Sequence, residues 1–495
     1  MPAYYPLFID GRSWESKSRQ AVYNPCTGEV FAQVALADKA CVEAALDCAR
    51  NAFDKGPWKD ISPAERKGLL LKVAQGILDK AGELAELETL NTGKPIKEST
   101  FMDVPSAAKT FEHFANNLEA YLQEEVVSVL PEVQSRLIRQ PQGVVALIVP
   151  WNYPLLIASW KLAQALAAGN TVILKPSSLT PLSALALADI AHQAGIPRGV
   201  VNVVNGLGSQ IGELLCADKR VDMISFTGSN EVGRQIIGYS AKQAKKLVME
   251  LGGKSAALVL KDADLELAVN GSLCSIFLNQ GQMCTAMSRI LVEDEIYDDF
   301  VRGLAAKAKL IKLGNGMDRE TQMGPLISDA QRKKIIACVE NALKEGAKLL
   351  CGGRVPDLPE LGKGFFFEPT IFSDVTPDMA IFKEEVFGPV ACVSRFSGLN
   401  EAAELANKSD FGLANCIWSN DSVRAGELAA KINTGTTWVN TYGMFYNEVP
   451  YGGFKQSGFG KELGKEGFLE YTRLKNIIVD RTQGTKPLVN YWYGF

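Results

Sequence analysis

The chain is poor in histidine and has no clustered cysteines. Its 495 residues include 2 histidines, His113 and His192, and 10 cysteines that form no Cys-x-x-Cys pair. Protein zinc sites usually draw their ligands from clustered Cys and His, so the sequence argues against a structural or catalytic metal. Scattered single cysteines are typical of reduced, mostly buried thiols, and we expect a cytoplasmic protein.

Long apolar segments and basic runs are also missing. The most apolar stretch, GVVALIVPWNYPLLIASW, is interrupted by two prolines and an asparagine, so it is a poor membrane-spanning helix. The N-terminus MPAYYPLFIDGRSWES has no basic start followed by an apolar run, so no signal peptide is predicted. With a net charge of -4 and no basic cluster, the sequence predicts neither a nucleic-acid partner nor a membrane partner.

What the chain does have is the balance of an ordinary folded protein, with 47% hydrophobic and 22% charged residues. Apolar positions at helical spacing predict amphipathic helices over 36–56 and 62–91, and β-branched runs predict strands around 124–145. From 144 to 252 short strands alternate with helices, which indicates a parallel, doubly wound sheet covered on both faces. The predicted strands are 144–149, 171–175, 200–204, 223–228 and 246–251, and the predicted helices are 154–168, 181–194, 209–216 and 230–240.

The alternation of strands and helices continues from 253 to about 456, with different turn residues between them. We therefore predict a second α/β domain there. Gly252 and Gly253 form a plausible hinge between the two domains. The last residues, VNYWYGF, are apolar and aromatic, and such a terminus tends to fray unless it docks, for example on another subunit.

A glycine-bearing turn is the first candidate binding feature. Gly228, Ser229 and Gly233 lie where a predicted strand passes into a helix, in ISFTGSNEVGRQII. Backbone N–H groups and a helix N-terminus commonly bind a nucleotide phosphate at such a place. The spacing differs from G-x-G-x-x-G, so the residues alone leave open whether this is a nucleotide site or simply a turn.

Three polar residues are candidates for covalent chemistry. Cys284 lies in the polar loop FLNQGQMCTAMSR; it is either an accessible nucleophile or, as most cysteines are, an inert buried thiol. Glu250 ends the apolar strand KLVMEL; it is either a general base whose pKa burial raises, or a solvent-facing carboxylate. Asn152 follows the strand VVALIV; its amide can donate to an oxyanion, or simply form the turn between two prolines.

Taken together, the segments PWNYP, ISFTGS, MELGGKS, NQGQMC, KEEVFGPV and PYGGFKQSGFGKELG occur in the order seen in the aldehyde dehydrogenase superfamily. The chain resembles that superfamily over essentially its whole length. The resemblance implies a Rossmann-like cofactor domain (1–118 and 142–252), an α/β catalytic domain (253–456), and a small β oligomerisation arm with a C-terminal tail (119–141 and 457–495). It also implies a homodimer or a homotetramer.

The resemblance implies oxidation of an aldehyde to a carboxylate. Cys284 would attack the aldehyde carbon, the Asn152 amide and the Cys284 backbone N–H would hold the oxyanion, and Glu250 would activate the water that hydrolyses the thioester. Relatives that transfer the acyl group to coenzyme A generally lack a carboxylate at that position, so Glu250 disfavours that alternative. The intact set of three residues disfavours a non-catalytic binding protein. Lys161 would support the site, and Glu462 would relay protons unless it is a surface helix carboxylate.

The implied cofactor is NAD, held by residues from both predicted domains. The resemblance places Lys175 and Ser178 at the adenosine ribose, Gly228 and Ser229 at the pyrophosphate, and Glu385 and Phe387 at the nicotinamide ribose and ring, with Trp151 and Lys161 nearby. Many NAD-preferring relatives have a glutamate where this chain has Ser178, and that carboxylate would repel a 2′-phosphate. Serine leaves room for NADP as well.

Within the superfamily, the segments most resemble the betaine aldehyde and aminoaldehyde dehydrogenases, including those acting on 4-trimethylaminobutyraldehyde. Tyr153, Trp160 and Tyr451 offer aromatic faces that attract a quaternary ammonium, at about 0.5–2 kcal/mol each. The same aromatics would equally line an apolar tunnel for an aliphatic or aromatic aldehyde. Leu278 stands where plant-type betaine aldehyde enzymes have a tryptophan, and Tyr451 replaces another, which weakens the cationic interpretation.

Overall fold

The structure is a computed structural model that describes residues 2–130 and 133–481. The predicted docking segment VNYWYGF and the rest of residues 482–495 of the predicted C-terminal tail lie outside the described residues. The α-helices are α1 (Lys39–Asp54), α2 (Pro63–Asp79), α3 (Ala81–Thr92), α4 (Ile96–Glu98), α5 (Val104–Tyr121), α6 (Pro154–Ala167), α7 (Leu182–Gln193), α8 (Gly208–Cys216), α9 (Asn230–Ser240), α10 (Leu265–Phe277), α11 (Tyr297–Ala308), α12 (Asp329–Lys344), α13 (Ala380–Lys383), α14 (Gly398–Asn407), α15 (Ser422–Ala429) and α16 (Gly464–Glu470).

The strands are β1 (Ala3–Tyr5), β2 (Leu7–Ile9), β3 (Arg12–Trp14), β4 (Ser18–Asn24), β5 (Glu29–Leu36), β6 (Glu125–Leu130), β7 (Val133–Pro141), β8 (Val144–Ile148), β9 (Thr171–Lys175), β10 (Val201–Val203), β11 (Met223–Thr227), β12 (Lys246–Glu250), β13 (Ala256–Val259), β14 (Arg289–Glu293), β15 (Lys348–Cys351), β16 (Thr370–Ser373), β17 (Val390–Phe396), β18 (Phe411–Gly412), β19 (Ala414–Trp418), β20 (Thr436–Val439), β21 (Phe454–Lys455), β22 (Gly458–Phe459) and β23 (Thr472–Asp480).

The first large sheet has the strand order β22-β12-β11-β8-β9-β10-β2-β3. Its five central strands pair in parallel, as the alternating pattern between 144 and 252 predicts. Strands β8, β9 and β11 are almost wholly buried, since helices cover both faces. The antiparallel strands β2, β3 and β22 close the two edges and were not predicted. Strands of two or three residues are too short to show a periodicity in the sequence.

The prediction of one helix over 62–91 is wrong, because two helices occupy that range. Helix α2 begins with a capping box in which Ser62 and Glu65 bond to each other's backbone N–H. It ends at Lys80, whose φ of -104° and ψ of 19° leave the helical region, and α3 starts at the next residue. Gly82 lies two residues after the break, but a single glycine is tolerated inside a helix, so it is only a weak signal for a helix end.

The second large sheet has the order β15-β16-β17-β14-β13-β19-β20 and is built from residues between 256 and 439. All of its pairings are parallel except that of β15, at one edge. A third, antiparallel sheet joins β6, β7 and β23, with β23 paired to β7 along its whole length. None of the described helices is long and apolar enough to cross a membrane.

The topology brings the candidate residues to one place. Strands β8, β11 and β12 are parallel neighbours, so their carboxyl ends meet at one edge of the first sheet. Asn152 follows β8, Gly228 follows β11, and Glu250 ends β12. Gly252 and Gly253 then lead from β12 directly into β13 of the second sheet.

Candidate active site

A cavity of about 900 Å³ lies at this edge and reaches the surface. Its volume is at the upper end of the usual range for small-molecule sites, about 300–1,000 Å³. Helices α5, α6 and α10 and the segment 442–451 supply most of its wall. Of the predicted catalytic and substrate residues, the cavity is lined by Cys284, Glu250, Glu462, Tyr153, Trp160, Leu278 and Tyr451.

Cys284 follows a sharply bent turn after α10. Asn279, Gln280 and Gly281 in the Leu278–Gly281 turn all have positive φ, at 46°, 58° and 69°. A left-handed conformation costs a non-glycine residue about 1–3 kcal/mol, so packing must hold this turn. A side chain on Gly281 would lie 2.1 Å from the carbonyl oxygen of Gly388, which leaves room only for glycine.

The Cys284 thiol is protonated in the resting site. Its Sγ lies 3.5 Å from the Tyr451 hydroxyl. Burial, with smaller contributions from the carboxylates of Glu385 and Glu250, raises the pKa of the thiol to about 12. Because the thiolate is the nucleophilic form, the reaction needs a group that removes this proton.

Glu250 is a buried carboxyl on the cavity wall. It is 4% exposed, and neither of its oxygens has a hydrogen-bond partner among the described residues. Burial raises its pKa well above the usual range, the nearby Glu462 raises it further, and Lys161 acts in the opposite direction. A Cβ on Gly452 would come within 2.6 Å of Oε1, so glycine at 452 preserves the space around this carboxyl. A buried, unpartnered carboxyl with a raised pKa is suited to general base catalysis near neutral pH.

Glu462 and Lys161, singled out separately in the sequence, form one buried ion pair behind Glu250. Their side chains are 2% and 0% exposed, so Glu462 is not a surface carboxylate. Lys161 Nζ also donates to Ser225 Oγ at 2.7 Å, and Gln164 Nε2 donates to Glu462 Oε2 at 2.9 Å. The Tyr471 hydroxyl donates to Ser225 at 3.1 Å and extends the network.

Sequence reasoning missed Ser225, Gln164 and Tyr471. Ser225 lies inside an apolar strand, and Gln164 lies on an apolar helix. A polar residue at such a position is a signal, because burial of a polar group requires a partner.

Asn152 is fastened to the loop that carries the cysteine. Its Nδ2 donates to the carbonyl oxygen of Gln282 at 2.8 Å, and its own carbonyl accepts from Asn279 Nδ2 at 3.1 Å. The amide nitrogen carries a second hydrogen, so this bond leaves one donor for an oxyanion. Asn152 does not itself line the cavity as the structure describes it.

The predicted cofactor residues flank the carboxyl ends of β9, β11 and β12. Lys175 ends β9; its Nζ has one long hydrogen bond, 3.3 Å, to the carbonyl of Pro176, and burial lowers its pKa to about 8. Ser178 lies in the following loop, where its carbonyl accepts from Gln20 Nε2 at 3.1 Å. Gly228 and Ser229 precede α9, and Ser229 caps that helix.

Glu385, Phe387 and Trp151 lie across the junction between the two sheets. The N–H of Gly253 donates to Glu385 Oε1 at 3.0 Å, and burial raises the pKa of that carboxyl. The rings of Trp151 and Phe387 meet edge to face, with centroids 5.2 Å apart. Phe387 has a φ of 57°, a strained conformation of the kind that clusters at functional sites.

Three aromatic rings of the cavity wall contact one another. The ring centroids of Trp160, Tyr451 and Phe445 lie 5.3 to 5.7 Å apart in all three pairs. Phe445 belongs to the 442–451 segment of the cavity wall and was not among the residues predicted from the sequence. We call these three residues the aromatic triangle.

Tyr153 has a different environment from the triangle. The Nζ of Lys94 lies 4.0 Å from its ring centroid, so one cation already occupies a face of this ring. Of the three aromatics predicted to bind a substrate cation, Trp160 and Tyr451 are therefore the better placed. At the cavity mouth, His113 Nδ1 lies 3.9 Å from the carboxylate of Glu448.

No group of three or more His, Cys, Asp or Glu side chains suited to a metal ion occurs within 2–130 and 133–481. All ten cysteines lie in these ranges and are unpaired.

Comparison with known proteins shows the family of the chain. The model of the aldehyde dehydrogenase family matches residues 13–477. A betaine aldehyde dehydrogenase of Bacillus subtilis (strain 168) is 46% identical over 489 residues, which cover 98% of this chain and 99% of that protein. Retinaldehyde dehydrogenase 3 of Mus musculus is 41% identical over 477 residues, which cover 96% and 92%.

Solved structures agree with the sequence comparison. The betaine aldehyde dehydrogenase of Staphylococcus aureus, in complex with NAD+, superposes with a TM-score of 0.95 at 40% identity, covering 98% of this chain and 96% of that one. The resemblance and the fold expected from the sequence are thereby confirmed: this chain belongs to the aldehyde dehydrogenase family.

Proposed function

We propose that the protein oxidises an aldehyde to a carboxylate with NAD, through a thioester on Cys284 that water hydrolyses. The observation that carries the proposal is one cavity that holds a thiol and, on its wall, the unpartnered buried carboxyl of Glu250. A nucleophile and a base on one wall are what acyl transfer to water requires.

The residues flanking the sheet junction fit NAD. Lys175 is buried with three ammonium hydrogens and one weak partner, so ribose hydroxyls would satisfy the remaining donors. Gly228 and Ser229 open α9, an eleven-residue helix whose N-terminal N–H groups suit a pyrophosphate. Glu385 and Phe387 would hold the nicotinamide ribose and ring. When bound, NAD supplies the hydride acceptor.

The chain's own groups carry out the proton transfers and the covalent steps. Cys284 Sγ gives its proton to a water molecule of the open cavity and bonds to the aldehyde carbon, and the second N–H of the Asn152 amide, with the Cys284 backbone N–H, stabilises the oxyanion. Loss of hydride from that carbon leaves the thioester. Glu250 then takes a proton from water as the water attacks the thioester, and Cys284 departs as the leaving thiolate.

The buried ion pair controls the charge on Glu250. Glu462 lies next to Glu250 and favours its protonated form, whereas Lys161 favours the carboxylate. We propose that Glu462 receives the proton that Glu250 removes, and that Lys161 keeps the shared proton mobile between them.

We propose a cationic aldehyde, such as betaine aldehyde or an aminoaldehyde, as substrate. The aromatic triangle lies directly beside the nucleophile, because its Tyr451 hydroxyl is 3.5 Å from Cys284 Sγ. A substrate whose ammonium is one or a few carbons from its carbonyl would place that ammonium against Trp160 and Phe445. The carboxylate of Glu448 at the mouth adds attraction for a cation.

An apolar aldehyde is the second candidate, and the cavity volume favours it. About 900 Å³ far exceeds what a molecule as small as betaine aldehyde fills. Because the chain is similar to a retinaldehyde dehydrogenase, retinal is a suitable apolar aldehyde to test against the cationic ones.

Initial rates across an aldehyde panel test the substrate. The panel holds betaine aldehyde, 4-trimethylaminobutyraldehyde, 4-aminobutyraldehyde, hexanal and retinal, with NAD and NADP at matched concentrations. We expect kcat/KM for the cationic aldehydes to exceed that for hexanal by about tenfold or more. Phe445→Leu should narrow that gap while leaving hexanal oxidation intact. A higher kcat/KM for hexanal or retinal would assign the cavity to apolar aldehydes.

Cofactor choice depends on Ser178. A serine repels neither a 2′-hydroxyl nor a 2′-phosphate, so we expect NAD to be used and NADP to be tolerated. Ser178→Glu should depress kcat/KM for NADP selectively, and an equal effect on both cofactors would place Ser178 away from the ribose.

We propose that the chain forms a homodimer or homotetramer through its third sheet. Strands β6 and β23 expose Val126, Leu130, Leu474 and Ile478, each between 49% and 66%, which is unusual for large apolar residues on one small sheet. Residues 119–141 and 457–495 would thus act as the oligomerisation arm, beside a cofactor domain (1–118 and 142–252) and a catalytic domain (253–456). Ten unpaired cysteines suit the reducing cytoplasm.

A further inference from the structure

A group of buried charges lies beneath the active site and takes no part in the mechanism above. Lys94 and Asp103 form an ion pair at 2.6 Å with both side chains fully buried, and Glu88 and Glu98 are buried beside them. Burial of a carboxyl costs free energy unless the group is hydrogen-bonded or paired, so the contacts of these carboxyls call for an explanation. The sequence analysis did not single out any of these residues.

Glu98 has a specific contact with the nucleophile loop. The backbone N–H of Asn279 donates to its carboxyl, at 3.1 Å to Oε2 and 3.4 Å to Oε1. Asn279 is the first of the three consecutive residues with positive φ in the Leu278–Gly281 turn. Since that turn is strained, the bond from its first N–H helps to fix it.

The turn is connected to both groups that act on the substrate. The side-chain amide of Asn279 donates to the carbonyl of Asn152 at 3.1 Å and to the carbonyl of Gln282 at 3.3 Å. Asn152 in turn donates to the same Gln282 carbonyl, two residues before Cys284. A shift of Asn279 would therefore move the proposed oxyanion donor and the thiol together.

We infer that Glu98 is a positioning residue, which holds the Leu278–Gly281 turn through Asn279 and so keeps Cys284 and the Asn152 amide in position relative to each other. The inference rests on the proposed roles of Cys284 and Asn152. The charges of Lys94 and Asp103 act on Glu98 in opposite directions, Lys94 lowering and Asp103 raising the pKa of its carboxyl.

The proposed role of Glu98 depends on the oxygen that accepts the Asn279 N–H. The variants therefore either keep or remove that acceptor. Burial raises the pKa of Glu98 to about 8, so at neutral pH the group is largely an uncharged acid and Glu98→Gln keeps a neutral acceptor of the same shape. Glu98→Leu removes the acceptor. Glu88→Leu is the matched control, since it replaces a fully buried carboxyl of the same group that, among the described residues, makes no hydrogen bond to the turn.

The test measures kcat, the KM values for aldehyde and for NAD, and the rate of alkylation of Cys284 by iodoacetamide. We expect Glu98→Leu to lower kcat by about tenfold to a hundredfold, as misplacement of reacting groups does, with an unchanged KM for NAD. Glu98→Gln should keep most of the activity. Glu88→Leu should keep kcat even if it lowers thermal stability as much as Glu98→Leu does.

Two results would overturn the inference: a kcat for Glu98→Leu close to that of the unmodified enzyme, or an equal loss in Glu88→Leu. If Glu98→Leu does not fold, Asn279→Gly decides, because glycine adopts the same φ freely but lacks the amide that reaches Asn152 and Gln282. An unchanged kcat in Asn279→Gly refutes the link. Cys284→Ala separates the two levels: if it still oxidises aldehydes, the proposed function fails, whereas an inactive Cys284→Ala beside a fully active Glu98→Leu refutes the positioning role alone.

Discussion

Removal of either member of the Lys161–Glu462 pair should destabilise the protein but move its pH profile in opposite directions. Both side chains are almost inaccessible to water, so each single substitution leaves a buried charge without its partner. Such a change typically costs about 3–5 kcal/mol. With an unfolding entropy of about 2.1 cal/mol/K per residue, a chain of 495 residues should lose about 3–5 °C of melting temperature in Lys161→Met or Glu462→Gln. The double variant, which buries no unpaired charge, should regain most of this loss.

The expected shifts in the pH profile of thioester hydrolysis follow from the charges around Glu250. Lys161 lowers and Glu462 raises the pKa of Glu250, and Glu250 must be ionised to activate water. Hydrolysis of the thioester therefore rises with pH through this pKa. Lys161→Met should shift that rise to higher pH, and Glu462→Gln should shift it to lower pH.

Single-turnover hydrolysis, followed by rapid mixing across neutral and alkaline pH, measures these shifts. Both variants are destabilised, so a general loss of structure cannot produce shifts of opposite sign. Shifts in the same direction, or unchanged profiles in both variants, would refute the assignment of Glu250 as the base that this pair controls.

Three further predictions concern single residues. Glu250→Gln should release one equivalent of NADH per active site in a burst and then stall, and steady turnover without a burst would contradict its role in hydrolysis. With a thiol pKa near 12, alkylation of Cys284 in the absence of cofactor should rise about tenfold per pH unit through the alkaline range, and a plateau near the ordinary thiol pKa of about 8.5 would contradict the burial of this group. Because burial lowers the pKa of Lys175 to about 8, its ammonium is lost as pH rises through that value; the Kd for NAD should increase there by calorimetry, and Lys175→Met should abolish that dependence.

Much of the first large sheet could be predicted, because its strands are β-branched runs of the length that a buried parallel strand requires. The strand Thr171–Lys175 and the helix Asn230–Ser240 have the predicted bounds. The short antiparallel strands at the edges could not be predicted, since pairing there depends on segments distant in sequence, as when β22 joins β12. The break at Lys80 has only a weak local signal, the nearby Gly82.

The candidate site shows the same division between local and distant information. Cys284, Glu250 and Asn152 could be named because each lies in a short recognisable segment. The pairing of Lys161 with Glu462 could not be predicted, because 301 residues separate them and neither segment contains a signal for its partner. The role of Glu98 depends on a contact across 181 residues to a backbone N–H, which no side-chain pattern encodes.

Trapping the acyl-enzyme tests directly whether Cys284 is the nucleophile and Glu250 the base. Glu250→Gln is mixed with NAD and betaine aldehyde, digested at acidic pH, and examined by mass spectrometry. We expect the peptide containing Cys284 to carry the betaine acyl group as a hydroxylamine-labile thioester, and the corresponding peptide of Cys284→Ala to carry none. Full conversion to glycine betaine by Glu250→Gln with an unmodified Cys284 peptide would contradict both the nucleophile and the base.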